Sequence, residues 1–177
     1  FIIVKKALQG GKAVVSANKK MIAEHFEELY ALQQKYKTPF LYEAACCASM
    51  PIIRNLEEYY DNDLLQSFRG IINGSTNFIL TKIFQEQVEF NEALLLAKQL
   101  GFAESNPTLD IGGFDAANKL SILLAHSFGI IATTDKFIFN GITNISLQDA
   151  TVAKEKKYSI KLVANAQKLA NEKLAAF

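Results

Sequence analysis

Carboxylates and a lysine at helical spacing are the side chains in this sequence best suited to proton transfer. Asp115 and Lys119 are four residues apart, which places both on one face of a helix, and Glu104 and Asp110 precede them. The helix continues through the apolar stretch 120–128, and a lysine near such a buried face is costly unless it is paired. Carboxylates can hold its ammonium group, which then exchanges a proton with a substrate oxygen. The alternative is an exposed ion pair on a solvated helix, which contributes little to stability.

A second lysine is predicted at the edge of a sheet. Lys19 directly follows residues 12–18, a short apolar run that has the composition of a buried strand and ends in Ala17 and Asn18. Ligands of open α/β sheets bind at the carboxyl ends of the parallel strands. We therefore expect Lys19 to face the same cleft as Lys119. The alternative is a helix that simply begins with solvated lysines.

A third polar segment, Asn-Gly-Ser-Thr-Asn at positions 73–77, comes directly before a predicted helix. The backbone N–H groups of such a segment can bind an anion at the start of the helix. The same residue types also cap helices without binding anything. The sequence leaves both interpretations open.

The two cysteines, Cys46 and Cys47, are adjacent and cannot pair with each other without backbone strain. They form no CxxC motif and no zinc-ligand spacing, so a reducing, cytoplasmic location is predicted. A nucleophilic thiol needs a nearby base. His25 and His126 lie on predicted apolar helices, and nothing aligns either with the thiols. We interpret the cysteines as small buried hydrophobic residues; the alternative is a thiol-dependent aldehyde dehydrogenase.

The first part of the chain has the pattern of a βαβ unit. The predicted elements there are a helix at 1–8 closed by glycines, a strand at 12–18, a helix at 20–36 and a strand at 40–45. Such a unit implies a parallel pair of strands with a right-handed crossover. Residues 1–45 are therefore predicted to be the tail of a doubly wound nucleotide-binding domain, although no GxGxxG motif is present. Because the chain enters midway through this unit, we expect it to be a piece of a longer polypeptide.

Residues 46–177 are predicted to form an α+β domain. Its expected elements are a helix after Pro51 that ends at Asp61-Asn62-Asp63, a strand at 64–72, helices at 78–84, 91–100 and 115–129, a polar loop at 102–113, a strand at 137–147 and a helix-prone tail at 161–177. The predicted fold class is thus α/β, with an α+β domain for substrate binding and dimerisation after the nucleotide-binding tail.

Composition excludes several classes of protein. Half of the 177 residues are hydrophobic, which is too many for a disordered chain. The 19 basic side chains face 18 acidic ones and give a net charge of +1, so nothing favours nucleic acid as a partner. The longest uncharged run, between Lys119 and Asp135, contains polar residues and is shorter than the roughly 20 apolar residues of a membrane span.

Four ordered segments resemble homoserine dehydrogenase. They are GKAVVSANK at 11–19, YEAA with PII at 42–53, GIINGSTNFIL at 70–80, and LGFAE through Asp110, Gly113, Asp115 and Lys119 at 100–119. The resemblance implies an enzyme that uses NADP or NAD to interconvert L-aspartate 4-semialdehyde and L-homoserine, in threonine and methionine biosynthesis. It also implies a cytoplasmic homodimer, and it predicts that this chain alone is inactive. A non-catalytic α+β dimerisation module is the other alternative.

Roles for individual residues follow from the same resemblance. Lys119 is expected to transfer the proton, with Lys19 as its partner. The expected substrate-binding residues are Gly74, Ser75, Glu104, Asp110 and Asp115, and Ala17, Asn18 and Lys19 are expected beside the nicotinamide.

The resemblance further implies a sodium-like cation, bound by main-chain oxygens near Glu43, Cys46, Ala48 and Met50. A hard cation with oxygen ligands needs no special side chains. The family usually has a glycine-rich turn here, V-G-x-G-x-P, which this sequence replaces by residues 46–51, CCASMP. Side chains are therefore expected where the turn calls for glycine torsions.

Overall fold

A two-stranded parallel sheet and a three-stranded antiparallel sheet organise the residues that the computed structural model describes, which are 1–60, 64–170 and 173–177. The helices are α1 (Ile2–Gln9), α2 (Lys19–Glu24), α3 (Phe26–Tyr36), α4 (Ala44–Cys47), α5 (Ile52–Tyr59), α6 (Gly74–Glu86), α7 (Phe90–Gln99), α8 (Thr108–Ile111), α9 (Phe114–Phe128) and α10 (Leu147–Glu155), with a 3₁₀ turn at Thr134–Lys136. The strands are β1 (Val14–Val15), β2 (Phe40–Leu41), β3 (Ser67–Gly70), β4 (Ala164–Lys168) and β5 (Leu174–Ala176).

The predicted βαβ unit is present. Strands β1 and β2 pair in parallel, with Val14 opposite Phe40, and α2 and α3 connect them. The single helix expected at 20–36 is two helices, because the chain bends at His25, whose φ is −126°. The strand expected at 40–45 is shorter than predicted, since helix α4 begins at Ala44.

Helix α9 is the central element, because two hydrophobic clusters contain its residues. In the first cluster, Ile122 and Leu123 of α9 join buried residues of α1, α2, α3 and α5. This cluster includes residues from both sides of position 45, so packing runs across the boundary predicted between the two domains. In another cluster Leu120 and Leu124 pack against strand β4. The domain limits 1–45 and 46–177 themselves stay a prediction.

The start of α9 is fixed by close backbone contact. Gly113, the residue before α9, has a φ of +85°, which suits glycine. The amide of Ile142 donates to the carbonyl of Ile111 at 2.8 Å. A Cβ added to Gly141 would lie 2.0 Å from that same carbonyl oxygen. The segment at 141–142 therefore lies directly against the junction of α8 and α9.

The prediction of a helix-prone tail at 161–177 is wrong, because the described residues of this segment form β4 and β5. Strand β4 pairs antiparallel with both β3 and β5, in the order β3-β4-β5. Ala164 and Ala166 are buried on one face of the sheet against α9. Their small side chains fit this packing, and tertiary contact overrides the helix propensity of alanine and lysine.

The strand predicted at 137–147 is also wrong. All of these residues are described, and they form no strand before α10 begins at Leu147. The apolar side chains that suggested a strand have different surroundings: Phe139 contacts Phe114 edge to face at 5.3 Å between ring centres, Ile142 is buried among residues of α6, α7 and α10, and Ile138 is exposed. Ser146 and Asp149 then start α10 with a capping box.

Other expected elements are present with shifted limits. Helix α6 begins at Gly74, so the polar segment 73–77 forms its first turn, and the loop at 102–113 contains α8. Helix α5 follows Pro51 as predicted. The expected stop at Asp61-Asn62-Asp63 lies outside the described residues. In the part of the chain that is described, no helix combines the length and the apolar character needed to cross a membrane.

A series of side-chain contacts joins Tyr42, the residue after β2, to α5 and α9. The Tyr42 hydroxyl lies 3.0 Å from Nε2 of His126, and Nδ1 of His126 lies 2.9 Å from Oε1 of Glu57. A neutral imidazole satisfies both contacts, since Nδ1–H donates to Glu57 and Nε2 accepts from Tyr42. Burial lowers the pKa of His126 below its ordinary value, and Glu57 offsets part of that effect. The folded protein therefore binds this proton more weakly than the unfolded chain.

This burial predicts a pH-dependent stability. A histidine with a lowered pKa stabilises the fold fully above its ordinary range, and the contribution is lost as the pH falls through that range. The free energy of unfolding should fall less steeply between about pH 7.5 and about pH 5 in His126→Gln than in wild type. The slopes should differ by at most about 1.4 kcal/mol per pH unit, the linkage of one proton. Urea denaturation at several pH values measures this, and equal slopes would contradict the assignment.

Ala48 provides a second stability prediction. It has φ 51° and ψ −111°, a conformation that glycine adopts far more easily than alanine. Ala48→Gly should raise the free energy of unfolding by about 1 kcal/mol, because it removes this strain. Ala153→Gly, in the interior of α10, is the matched control and should lower it by about 1 kcal/mol. A loss of stability from Ala48→Gly in urea denaturation would show that the turn is not strained.

Candidate active site

The centre of the site is the carboxylate of Asp115 in the first turn of α9. Its Oδ1 lies 2.9 Å from Nζ of Lys19, and its Oδ2 lies 2.8 Å from Nζ of Lys119. The side chains of Asp115, Lys119 and Lys19 are 10%, 14% and 34% exposed. The structure thus brings together two lysines that are 100 positions apart in the chain, as the sequence predicted. Lys19 is the more accessible of the two.

Packing of α2 against α9 makes this convergence possible. Lys19 is the first residue of α2, directly after the Asn18 cap, whose side chain accepts from the amide of Met21 at 3.1 Å. The buried residues of α2 hold it against the apolar face of α9. A cation at a helix start is mildly unfavourable alone. The ion pair with Asp115 offsets that cost.

Neighbouring hydrogen-bond donors stabilise the negative charge on Asp115. Burial raises its pKa, but hydrogen bonds from Lys119, Asn73 and Lys19 outweigh that effect, and the net result is a pKa below the ordinary value. The carboxylate is therefore ionised at neutral pH. One buried anion is thus paired with two ammonium groups.

Lys119 has a second fixed partner. Its Nζ donates to the main-chain carbonyl of Ile72 at 2.6 Å, in addition to its contact with Asp115. An ammonium group has three donors. These two contacts fix the position of the nitrogen and use two of the three.

Asn73 links the cluster to a further carboxylate. Its side-chain Nδ2 donates to Asp110 at 2.8 Å and to Asp115 at 2.9 Å. Its Oδ1 accepts from the amide of Thr76 at 2.8 Å, so it also caps α6. The sequence left two interpretations of segment 73–77 open, a helix cap and an anion-binding turn, and Asn73 was not among the predicted site residues. Neither pattern shows which distant groups the side-chain amide reaches.

The predicted substrate-binding residues fall into two groups. Gly74 and Ser75 lie in the first turn of α6, beside Asn73, and the Ser75 hydroxyl donates to the carbonyl of Phe102 at 2.5 Å. Asp110 joins the cluster through Asn73. Glu104 does not: it is exposed on the following loop and, among the described residues, forms no ion pair.

The residues expected beside the nicotinamide lie where a cofactor could approach. Ala17 and Asn18 are exposed and follow the end of β1, next to Lys19. The amide of Ser16 still donates to Leu41 of β2 at 2.9 Å, so this segment leaves the carboxyl end of the parallel pair. Backbone and small side chains here fit a planar ring near Lys19, as expected at this edge of a sheet.

In the segment expected to bind a cation, main-chain oxygens rather than side chains are the available ligands. The side chain of Glu43 is used elsewhere, since its two oxygens accept from the amides of Ile53 and Arg54 at 2.8 and 3.0 Å and cap α5. Within the described ranges, no cluster of three or more histidine, cysteine, aspartate or glutamate residues is placed to hold a metal. A cation near Cys46, Ala48 and Met50 would therefore rely on main-chain carbonyl oxygens, which suit a hard ion. Ala48 has φ 51° and ψ −111°, torsions that favour glycine.

The cysteines lack the properties of catalytic thiols. Burial and, to a smaller extent, the adjacent Cys47 raise the pKa of Cys46 to about 12. Burial also raises the pKa of Cys47. A nucleophilic cysteine needs the opposite shift. His126 is already engaged by Tyr42 and Glu57 and does not serve as a base for either thiol.

Known proteins of one family resemble this chain in sequence. A family model described as homoserine dehydrogenase matches residues 51–176. The homoserine dehydrogenase of Helicobacter pylori is 43% identical over 169 residues, covering 95% of this chain and 39% of that protein. The enzyme of Lactococcus lactis is 38% identical over 159 residues, covering 90% and 37%. The chain spans about two fifths of the length of these curated relatives.

Solved structures agree with this similarity. A homoserine dehydrogenase from Thiobacillus denitrificans superposes with a TM-score of 0.94 at 36% identity, covering 99% of this chain and 40% of that one. A hyperthermophilic archaeal homoserine dehydrogenase in complex with NADPH superposes with a TM-score of 0.82 at 31% identity, covering 99% and 50%. The predicted α/β fold class is confirmed by these matches. Both the sequence motifs and the fold lead to one assignment: the chain belongs to the homoserine dehydrogenase family.

Proposed function

We propose that the protein containing this chain interconverts L-aspartate 4-semialdehyde and L-homoserine with NADPH or NADH, in threonine and methionine biosynthesis. The observation that supports this best is the convergence of Lys19 and Lys119 on the buried carboxylate of Asp115. Family membership supports the reaction class, and one structural relative is described as a complex with NADPH. The homodimer and the cytoplasmic location stay predictions of the resemblance.

Lys119 is the proton donor in the direction of reduction. A bound nicotinamide cofactor supplies the hydride, which leaves the aldehyde oxygen as an alkoxide that needs a proton. Asp115 and the carbonyl of Ile72 hold the Lys119 nitrogen in place. The remaining N–H points its proton to the alkoxide oxygen, and the lysine becomes a neutral amine. In the direction of oxidation the same nitrogen takes the proton from the hydroxyl group.

Lys19 stabilises the negative charge as it builds on the oxygen. It is held by the other oxygen of Asp115, so the two ammonium groups lie on either side of one carboxylate. Its greater exposure and its position after Ala17 and Asn18 suit a group between the cofactor and the substrate. Asp115 thus holds both ammonium groups beside the forming alkoxide.

The substrate's amino group requires acidic partners. Asp110 and Asp115 are joined by Asn73 on the wall of the site, and Glu104 lies on the loop that follows Phe102. We assign the amino group to these carboxylates. Gly74 and Ser75 present the first turn of α6 to the rest of the substrate.

Replacing the proton donor tests this proposal. In the complete gene product, Lys119→Ala should lower kcat for homoserine oxidation by roughly 100-fold or more, because the oxygen loses its proton partner. Lys154→Ala, an exposed lysine on α10, is the matched control and should turn over normally. Absorbance of the reduced nicotinamide measures both. Near-normal turnover in Lys119→Ala would remove this residue from the role.

The thiol-dependent alternative has its own test. Because burial raises the pKa of both thiols, iodoacetamide should label Cys46 and Cys47 slowly at neutral pH. Cys46→Ala should keep kcat within about 3-fold of wild type, since small apolar residues fit the same space. Mass spectrometry follows the labelling. Fast alkylation of these thiols with a matching loss of activity would instead favour the hypothesis of a thiol-dependent aldehyde dehydrogenase.

A further inference from the structure

The amide of Asn73 lies between two carboxylates that belong to different helices. Asp110 is in α8 and Asp115 is in α9, and one nitrogen of Asn73 donates to both, at 2.8 and 2.9 Å. Without the Asn73 amide between them, these two neighbouring carboxylates would repel each other. A shared donor between them lets both stay ionised and fixes their separation.

The orientation of this amide is determined by its other end. The Oδ1 atom accepts from the main-chain amide of Thr76 at 2.8 Å and from its hydroxyl at 2.9 Å. A main-chain N–H can only donate, so the oxygen must face Thr76 and the nitrogen must face the carboxylates. Asn73 is 4% exposed and Thr76 is fully buried. The side chain therefore has one position and one orientation.

The residue before Asn73 holds the other member of the ion pair. The carbonyl of Ile72 accepts from Lys119 while the side chain of Asn73 donates to Asp115. Two consecutive residues between β3 and α6 thus fix both the lysine and the carboxylate that pairs with it. Because the Ile72 carbonyl and the Asn73 side chain belong to neighbouring residues, the distance between them determines where Lys119 and Asp115 meet.

We propose that Asn73 is a positioning residue: by donating to Asp110 and Asp115 at once, it places the Asp115 carboxylate where that group aligns Lys119 for proton transfer. This inference rests on the proposed function. Asn73 does not touch the reacting atoms in this scheme and acts through Asp115. Loss of its donor should change the chemistry of the site more than the stability of the fold.

The charged and titratable groups around Asp115 come from several elements. Lys19 of α2 and Lys119 of α9 contact it directly, and Asp110 of α8 faces it across Asn73. The thiols of Cys46 and Cys47 in α4 lie within electrostatic range of Lys119. An added negative charge at position 73 would act mainly on the two carboxylates, because these share its nitrogen.

Asn73→Asp separates the two functions of this residue. Aspartate caps helices about as well as asparagine, so the contacts with Thr76 are retained while the donor is replaced by a third carboxylate. In the complete gene product, kcat should fall by at least about 10-fold with a smaller change in KM, as expected for a misplaced proton donor. The acidic limb of the kcat–pH profile should move to higher pH by about one unit, because neighbouring carboxylates raise each other's pKa.

Two further variants complete the test. Asn73→Ser keeps a capping oxygen and adds no charge, so kcat should fall while the acidic limb moves less than in Asn73→Asp. Ser146→Ala removes the cap of α10, far from the site, and should lower the melting temperature without changing either kinetic readout. A ¹³C NMR titration of the aspartate carboxyl groups should show a raised pKa for Asp115 in Asn73→Asp, independently of turnover.

The outcomes distinguish this inference from the function on which it rests. If Asn73→Asp loses stability as Ser146→Ala does but keeps the wild-type kcat and pH profile, Asn73 is only a helix cap and the inference is overturned. Wild-type activity on homoserine would then still support the proposed function. A wild-type protein that turns over neither homoserine nor the semialdehyde would overturn both.

Discussion

One buried carboxylate between two ammonium groups determines how the rest of the structure is arranged. An unpaired anion at the depth of Asp115 would be costly, and so would an unpaired Lys119 on a helix that is otherwise apolar. Each group is tolerated because the other is present. The fold must therefore bring α2, α9 and the segment between β3 and α6 to one point, since each supplies a member of the cluster.

Sequence patterns predicted the charged members of the site because their signals are local. Asp115 and Lys119 have helical spacing on an apolar helix, and Lys19 follows an apolar strand. Asn73 was missed because its contacts come from 37 and 42 residues away, whereas its visible pattern is that of a cap for the next helix. The residues of a hydrogen-bond network are set by tertiary contact, which no local pattern contains.

The same contrast applies to the elements. The parallel pair β1–β2 and the long helix α9 were predicted from apolar runs bounded by glycine and polar residues. The final strands were not, because Ala164 and Ala166 have high helix propensity and form a strand only through their contacts with α9 and the neighbouring strands. The opposite error occurred at 137–147, where a strand was predicted from the apolar residues but the structure has none.

Gly141 shows that the arrangement of the charged cluster also depends on a residue that has no reactive side chain. Even one methyl group at this position would overlap the carbonyl of Ile111 and push on the junction from which Asp115 projects. A residue without a reactive side chain can therefore still be intolerant of substitution. In this molecule, the absence of a side chain at Gly141 preserves the position from which Asp115 reaches Lys119.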